Sequence, residues 1–449
     1  MDPTLLAGLV VAGVLLLLAL RVPIAYALGA CAIVGLVVYF AWRPGGDINL
    51  AASMRPVLRL VGANTFSFVH SYPLSMIPLF IGLGHVAYHA EITTDLYRSL
   101  RVLLRKLPGG LAMASVSGCA GFSAITGSSV ACAAAMGKIA VPEMLRYGYH
   151  PRLASGAVAA GGTLGSLIPP SLLFVIYAIF TEQSVNGLFL AGVVPGLLSL
   201  VGFLLTICLW CLIRPSHVPK VTVEVGEDTD RLKALSGLWP SALLFSIVVG
   251  GIYLGIFTPT EAAAVSLIVA TLIGIGRRKI TWSTLIASGS DTVRQTAMIF
   301  MVALAAKLFT AFISLTRITP LTLDWLQSFD PPFYAVMIAI VIFYLVIGMF
   351  LDSIGILVLT LPFTVPIMLS YDVNLIWFGV IVIKLLEIGL ITPPIGLNIF
   401  VIKSVSPKSV TLSEVIRGSG AFLVLDFVVL ILLLLIPALS LWLPNSAFG

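Results

Sequence analysis

Two adjacent prolines in the middle of an apolar stretch leave a chain few options, and this chain carries two such pairs. Ile168-Pro169-Pro170-Ser171 interrupts the apolar run 153–180, and Ile391-Thr392-Pro393-Pro394-Ile395 interrupts the run 375–402. Proline has no N–H to donate and its ring clashes with the preceding turn, so a helix breaks at each pair. Of the 449 residues, 59% are hydrophobic and 10% charged, against about 25% charged in soluble domains. The breaks therefore fall inside an all-α polytopic membrane protein. Broken backbone at membrane depth is tolerated only where it is buried in protein or lines a cavity, which is what a transport site requires.

A second feature precedes each break. Leu111–Ile125 is 15 residues, about 22 Å as a helix, short of a bilayer core of about 30 Å. Thr126-Gly127-Ser128-Ser129 follows, then a second apolar run, with Arg105 and Lys106 before and Lys138 and Arg146 after. A re-entrant hairpin over 110–146, turning at mid-depth and opening inward, satisfies both length and charge. A second hairpin is expected over 332–372, turning near Leu351-Asp352-Ser353 and opening outward.

The remaining spans are read as Thr4–Leu20, Val22–Trp42, Tyr72–His89, Gly187–Ile213, Leu238–Phe257, Glu261–Gly276, Thr292–Leu315 and Ser419–Leu443, with 43–71 as a partly polar outer connection. The segments 93–106 and 317–330 are amphipathic and should lie along opposite membrane surfaces. This layout puts both termini outside. It places nineteen of the 25 basic residues inside, four outside (Arg43, Arg55, Arg59, Arg317) and two, Lys307 and Lys384, within spans, as the positive-inside rule demands.

Residues 214–236 form the one long polar interruption, a cytoplasmic linker between halves 1–213 and 237–449. Each half then holds five spans and one hairpin. Five is odd, so the halves are inverted repeats. Landmarks agree: AVPEML (140–145) echoes TVPIML (364–369), and 27 residues separate Pro142 from Pro169 and Pro366 from Pro393. Aligned on those prolines, Ser128-Ser129 fall opposite Asp352-Ser353. Inverted repeats with discontinuous helices mark secondary transporters. A hairpin tip presents carbonyls from one helix and amides from the next, suiting a cation and an anion respectively. Gly127, Ser353 and Gly355 keep the tips small, and the hydroxyls add hard oxygen ligands fit for Na+.

IPLFIGLG (77–84), LPGGLA (107–112), GSS (127–129), VPEMLRYGY (141–149), LIPPS (167–171), FTPTEAAA (257–264) and LITPPIGLNIFV (390–401) together resemble the large membrane subunit of TRAP (tripartite ATP-independent periplasmic) transporters over almost the whole chain. The resemblance implies an elevator-type symporter in the bacterial inner membrane, working with a separate small four-helix subunit and a periplasmic substrate-binding protein. Its cargo would be a carboxylate: a C4-dicarboxylate, sialic acid or another organic acid. It also implies Na+ as coupling ion, at Thr126, Ser128, Asp352, Ser353, Thr392 and Gly396. The substrate would lie near Gly127, Ser128, Ser129, Pro169, Pro170, Ser171 and Pro394. Both hairpins and both broken spans would move as a block against the first two spans of each half.

Other readings carry less. A single-chain divalent-anion/sodium symporter shares the architecture, but its Ser-Asn-Thr type tips are absent. No protease motif, ATP-binding motif or nucleic-acid-binding feature stands out, and an enzyme is not expected. Cys208-Leu-Trp-Cys211 lies in an apolar run without further metal ligands and reads as packing. Lys384 and Glu387, three apart on one helix, are expected to pair with each other. Asp426 stands alone in the last span without an assigned role.

Overall fold

A computed structural model describes residues 2–42, 49–219 and 236–448, and it is helical throughout, with no strand among them. The helices run α1 Pro3–Ala19, α2 Ile24–Ala41, α3 Leu50–Val69, α4 Met76–His89 and α5 Ile92–Leu104. Then come α6 Gly110–Thr126, α7 Ser129–Arg146, α8 Pro151–Thr163, α9 Leu172–Thr181 and α10 Val185–Ile213. Beyond the linker follow α11 Trp239–Tyr253, α12 Pro259–Gly276, α13 Trp282–Leu315, α14 Ile318–Gln327, α15 Phe333–Gly348 and α16 Ser353–Leu369. Last are α17 Leu375–Ile391, α18 Leu397–Val405, α19 Leu412–Leu435 and α20 Ala438–Phe448. Of the linker expected at 214–236, residues 220–235 lie outside the described residues.

Among the described residues, α2, α10, α12, α13 and α19 are long and apolar enough to cross a membrane. Along the chain an amphipathic helix (α5, α14) twice precedes a helix pair meeting at a tight turn (α6/α7, α15/α16) and then a pair broken at Pro-Pro (α8/α9, α17/α18). Pro169-Pro170 and Pro393-Pro394 are both joined by cis bonds.

Three segments differ from the sequence reading. The connection expected over 43–71 contains the 20-residue helix α3. Arg55 and Arg59 of this helix are exposed, while Ser53, Val57 and Phe68 are buried. Asn49 caps its start by accepting from the Ala52 amide at 2.9 Å. The segment 72–89 then holds a short turn at 72–75 and α4. In the second half one helix, α13, occupies the corresponding place and begins ten residues before the expected Thr292. The last span starts earlier and breaks sooner than expected. Thr411 and Glu414 form a reciprocal cap on α19 (3.3 and 2.8 Å), and Pro437 ends the run between α19 and α20.

The chain divides into two compact units: 1–75, 294–341 and 354–375 in one, 76–293, 342–353 and 376–449 in the other. In the first, Gly35 of α2 makes room for Phe312 of α13. A Cβ at Gly35 would lie 2.7 Å from that ring and 2.9 Å from Val10. Phe68 and Phe300 meet edge to face at 5.8 Å. Lys307 donates to Ser67 Oγ at 3.1 Å.

The second unit has its core in α6, α7 and α8, whose Ala, Gly and Ser residues permit close helix approach. At Gly156 and Gly418, α8 and α19 touch backbone to backbone. A Cβ on Gly418 would fall 2.0 Å from the Arg152 carbonyl oxygen, and one on Gly156 would fall 2.3 Å from the Gly418 carbonyl carbon. Helix α5 buries Leu96, Tyr97 and Val102. Its charges are committed to protein partners as well as to the surface. Asp95 pairs with Arg277 and Glu91 with Lys279, both at 2.7 Å, and Arg101 pairs with Glu143 of α7.

Where α10 ends, His217 stacks on His150 with ring centres 4.1 Å apart. Its Nδ1 accepts from Trp210 Nε1 at 3.2 Å, so that nitrogen carries no proton. Burial first, then His150, Arg214 and Arg152, hold His217 below the ordinary histidine range. A base depressed in the folded state stabilises the fold fully above its unfolded pKa of about 6.5, and the contribution is lost as pH falls below that value. Thermal stability in detergent should therefore drop between about pH 7.5 and about pH 5.5, and drop less in His217→Gln. An equal drop in both would remove the role given to this ring.

Candidate functional site

The first hairpin tip is built by two helix ends meeting at one glycine. Helix α6 closes at Gly127, whose φ of 63° is left-handed and whose amide donates to Ser123 O at 2.9 Å. Ser128 is extended and caps α7, its Oγ accepting from the Ala131 amide at 3.4 Å. The tip docks on the break between α8 and α9. The Leu172 amide donates to Gly127 O at 3.2 Å. A Cβ on Gly127 would lie 2.5 Å from Pro170 O, and one on Gly165 would lie 2.6 Å from both Ser129 N and Ser129 Cα. No side chain fits between tip and break. Pro169, Pro170 and Ser171 are buried there, and Ser171 caps α9 by accepting from the Phe174 amide at 3.3 Å. Thr126 is buried and donates to Phe122 O at 3.1 Å. Its lone pairs thus remain available as acceptors.

The structure thus brings Gly127, Ser128 and Ser129 against the break itself, with Ser171 lying between Pro170 and Leu172, the two residues that meet Gly127.

The second set is more open. Asp352 precedes α16 and is exposed, and Ser353 opens that helix. Thr392 ends α17, donating to Ile388 O at 2.6 Å. Pro393 and Pro394 are exposed. Gly396 has a φ of 56° and starts α18, where a Cβ would lie 3.0 Å from Thr392 O. The last turn of α15 rests directly on α17, since a Cβ on Gly389 would lie 2.8 Å from the Gly348 backbone.

The expected Lys384–Glu387 pair does not form. Lys384 is buried and reaches across to Asp426 of α19, with which it forms an ion pair, and donates to Ser199 of α10 at 3.0 Å. Asp426, without a role in the sequence reading, is its counter-charge. Glu387 is also buried and accepts instead from Ser129 at 2.6 Å. Side chains three apart on a helix are neighbours, but tertiary partners outcompete that weak contact. Asn398 was also missed. It is fully buried on α18 and donates to Ala159 O of α8 at 3.4 Å. Its only sequence signal is a polar amide two residues after Gly396 in an apolar run. The five cysteines are free, and no cluster of His, Cys, Asp and Glu able to hold a metal occurs among the described residues.

Two helix pairs turning tightly, the first with its tip seated on a Pro-Pro-broken helix, in a chain this apolar, define a membrane transport permease. The comparisons agree. The chain belongs to the family described as Tripartite ATP-independent periplasmic transporter, DctM component, which it matches over residues 11–439. It is 35% identical over 396 residues to the C4-dicarboxylate TRAP transporter large permease protein DctM of Pseudomonas aeruginosa, covering 86% of this chain and 90% of that one. It is 31% identical to the protein of the same name from Vibrio cholerae, covering 95% of each. Its fold is similar to the crystal structure of the Alcanivorax borkumensis YdaH transporter, described as having an unusual topology, with TM-score 0.61, 16% identity and 99% of each chain covered.

Proposed function

We propose that this chain carries out sodium-coupled uptake of a carboxylate, a C4-dicarboxylate in the first instance, handed over by a periplasmic binding protein. It would act in the bacterial inner membrane with a separate small membrane subunit and with both termini periplasmic. The carrying observation is the first tip, where helix ends meet around Gly127 with no side chain between tip and break. Carbonyls there suit a cation and the α7 amides suit an anion. Thr126, Ser128, Asp352, Ser353, Thr392 and Gly396 are the proposed sodium ligands. Gly127, Ser128, Ser129, Pro169, Pro170, Ser171 and Pro394 are proposed to face the substrate. The relatives' names favour a C4-dicarboxylate over sialic acid, and family membership weighs against a single-chain divalent-anion symporter.

For the motion, halves 1–213 and 237–449 act as inverted repeats, and the hairpins and broken helices travel as a block. Helix α5 fits a lever in such a motion, because its ion pairs reach α12 at one edge and α7 at the other.

Uptake into proteoliposomes with the cognate binding protein and small subunit tests this reading. Removing the Na+ gradient should stop accumulation. Asp352→Asn should raise the half-saturating Na+ about tenfold, the size expected for losing a charged partner. Ser128→Ala should cost less, since backbone carbonyls remain. Uptake indifferent to Na+ would sink the sodium assignment, and normal Na+ dependence in Asp352→Asn would remove that residue from the site.

A further inference from the structure

We propose that Glu387 is a positioning residue for the first hairpin tip, holding the Ser129 hydroxyl from the second broken helix and thereby fixing the amides that Ser128 and Ser129 present.

Three elements converge on this carboxylate. Ser129 is the first residue of α7, and its Oγ donates to Glu387 Oε2 at 2.6 Å. The same hydroxyl lies 2.9 Å from Ser166 Oγ, in the short turn that precedes Pro169-Pro170. Glu387 therefore joins the tip, the first break and α17 at one point. All three side chains are at most 3% exposed.

Among the described residues, the carboxylate's side-chain hydrogen-bond partners are Ser129 and Ser166, both neutral hydroxyls. Lys384, one turn back on the same helix, gives its hydrogen bonds to Asp426 and Ser199. Glu387 Oε1 makes no hydrogen bond among the described residues. A buried carboxylate with one oxygen unpaired is costly, and an apolar residue at this place would pack without that cost. What the carboxylate adds is direction: a strong acceptor aimed at one hydroxyl of the tip. Gly165 presents no Cβ to Ser129, where one would lie 2.6 Å away, and the Leu172 amide pins Gly127 from the other side. The tip is thus clamped at Gly127 by the first half and at Ser129 by the second. Ion and anion sites built on backbone groups demand such support, since misplacement by about 0.5 Å degrades them.

This inference rests on the sodium-coupled reading, and the experiment separates the two. Half-saturating Na+ and maximal uptake rate are measured for wild type, Glu387→Ala, Glu387→Gln, Ser129→Ala and the Ser129→Ala/Glu387→Ala double variant. Glutamine keeps the length and an acceptor oxygen for Ser129. Glu387→Ala and Ser129→Ala should each raise half-saturating Na+ about tenfold, and in Glu387→Ala, which lies outside the proposed substrate set, the rate at saturating Na+ should stay within about twofold of wild type. Glu387→Gln should stay within about threefold, and the double variant should be no worse than the poorer single one. If Gln is as damaging as Ala, the charge acts directly and the positioning role is wrong. Additive Ser129 and Glu387 effects on Na+ affinity overturn it as well, as does a loss of rate alone at unchanged Na+ affinity in Glu387→Ala.

A second readout needs no ion. With the five native cysteines replaced, the thiol introduced by Ser128→Cys should label about tenfold faster in Glu387→Ala than in Glu387→Gln. If wild-type uptake ignores Na+, the coupling assignment fails while this labelling still judges the clamp; equal labelling in the two backgrounds would discard it.

Discussion

Asp426→Asn should cost this protein most of its stability. Lys384 and Asp426 are at most 1% exposed, and the ammonium's remaining hydrogen bond is to a neutral hydroxyl, Ser199. Removing the carboxylate's charge strands a cation in a low-dielectric interior, at about 3–5 kcal/mol when one partner of a buried pair is lost. The signature should be a sharply lower melting temperature in detergent and reduced accumulation in the membrane. Lys384→Met alone should do the same from the other side, leaving Asp426 with neither oxygen satisfied, since its Oδ2 already lacks a partner. Combining Lys384→Met with Asp426→Asn removes both charges and should recover much of the loss, because the pair is weak evidence of net stabilisation over neutral groups. A double variant as poor as the sum of the single ones would show that the two charges do not depend on each other.

Gly165→Ala should abolish uptake while leaving a folded protein. Its Cβ would sit 2.6 Å from Ser129 N and 2.7 Å from the Ser128 carbonyl carbon, and these backbone atoms have no rotamer with which to give way. Either the tip lifts from the break or α8 shifts. Both disturb the amides of Ser128 and Ser129, whereas the packing of α8 on α19 is set nine residues earlier at Gly156. Overpacking costs about 1–3 kcal/mol, survivable for the fold and severe for a site held to about 0.5 Å. The controls are Gly276→Ala and Gly420→Ala, where a Cβ meets nothing within 4 Å. Uptake near wild type in Gly165→Ala would mean that tip and break are not closed together during transport.

Local chemistry was legible in the sequence wherever it acts over a few residues. Pro169-Pro170 and Pro393-Pro394 break their helices, and Gly127-Ser128 turns the first hairpin, because missing donors and φ preference need no tertiary context. The helix α3 was hidden by Arg55, Arg59, Asn64 and Ser67, polar residues scattered through the segment that read as a connection, whereas the structure makes it a 20-residue helix. The buried charges were hidden for a different reason. Sequence offers only neighbours along the helix, and it paired Lys384 with Glu387. Their actual partners, Asp426 and Ser129, are 42 and 258 residues away, and only the fold supplies such contacts. Fold class and the candidate tip residues were therefore readable, but the polar links that hold the first tip were not.

The contact between Gly156 and Gly418 has a mechanical consequence. Where side chains separate two helices, rotamer changes absorb small displacements, as springs would. Here backbone meets backbone, with no torsion in between to take up strain. The seam between α8 and α19 has almost no compliance, and the one between α15 and α17 at Gly348 and Gly389 has little more. Movement of α8 at Gly156 must therefore carry α19 with it, so give must be found in stretches held by flexible side chains, such as the ion-paired edges of α5.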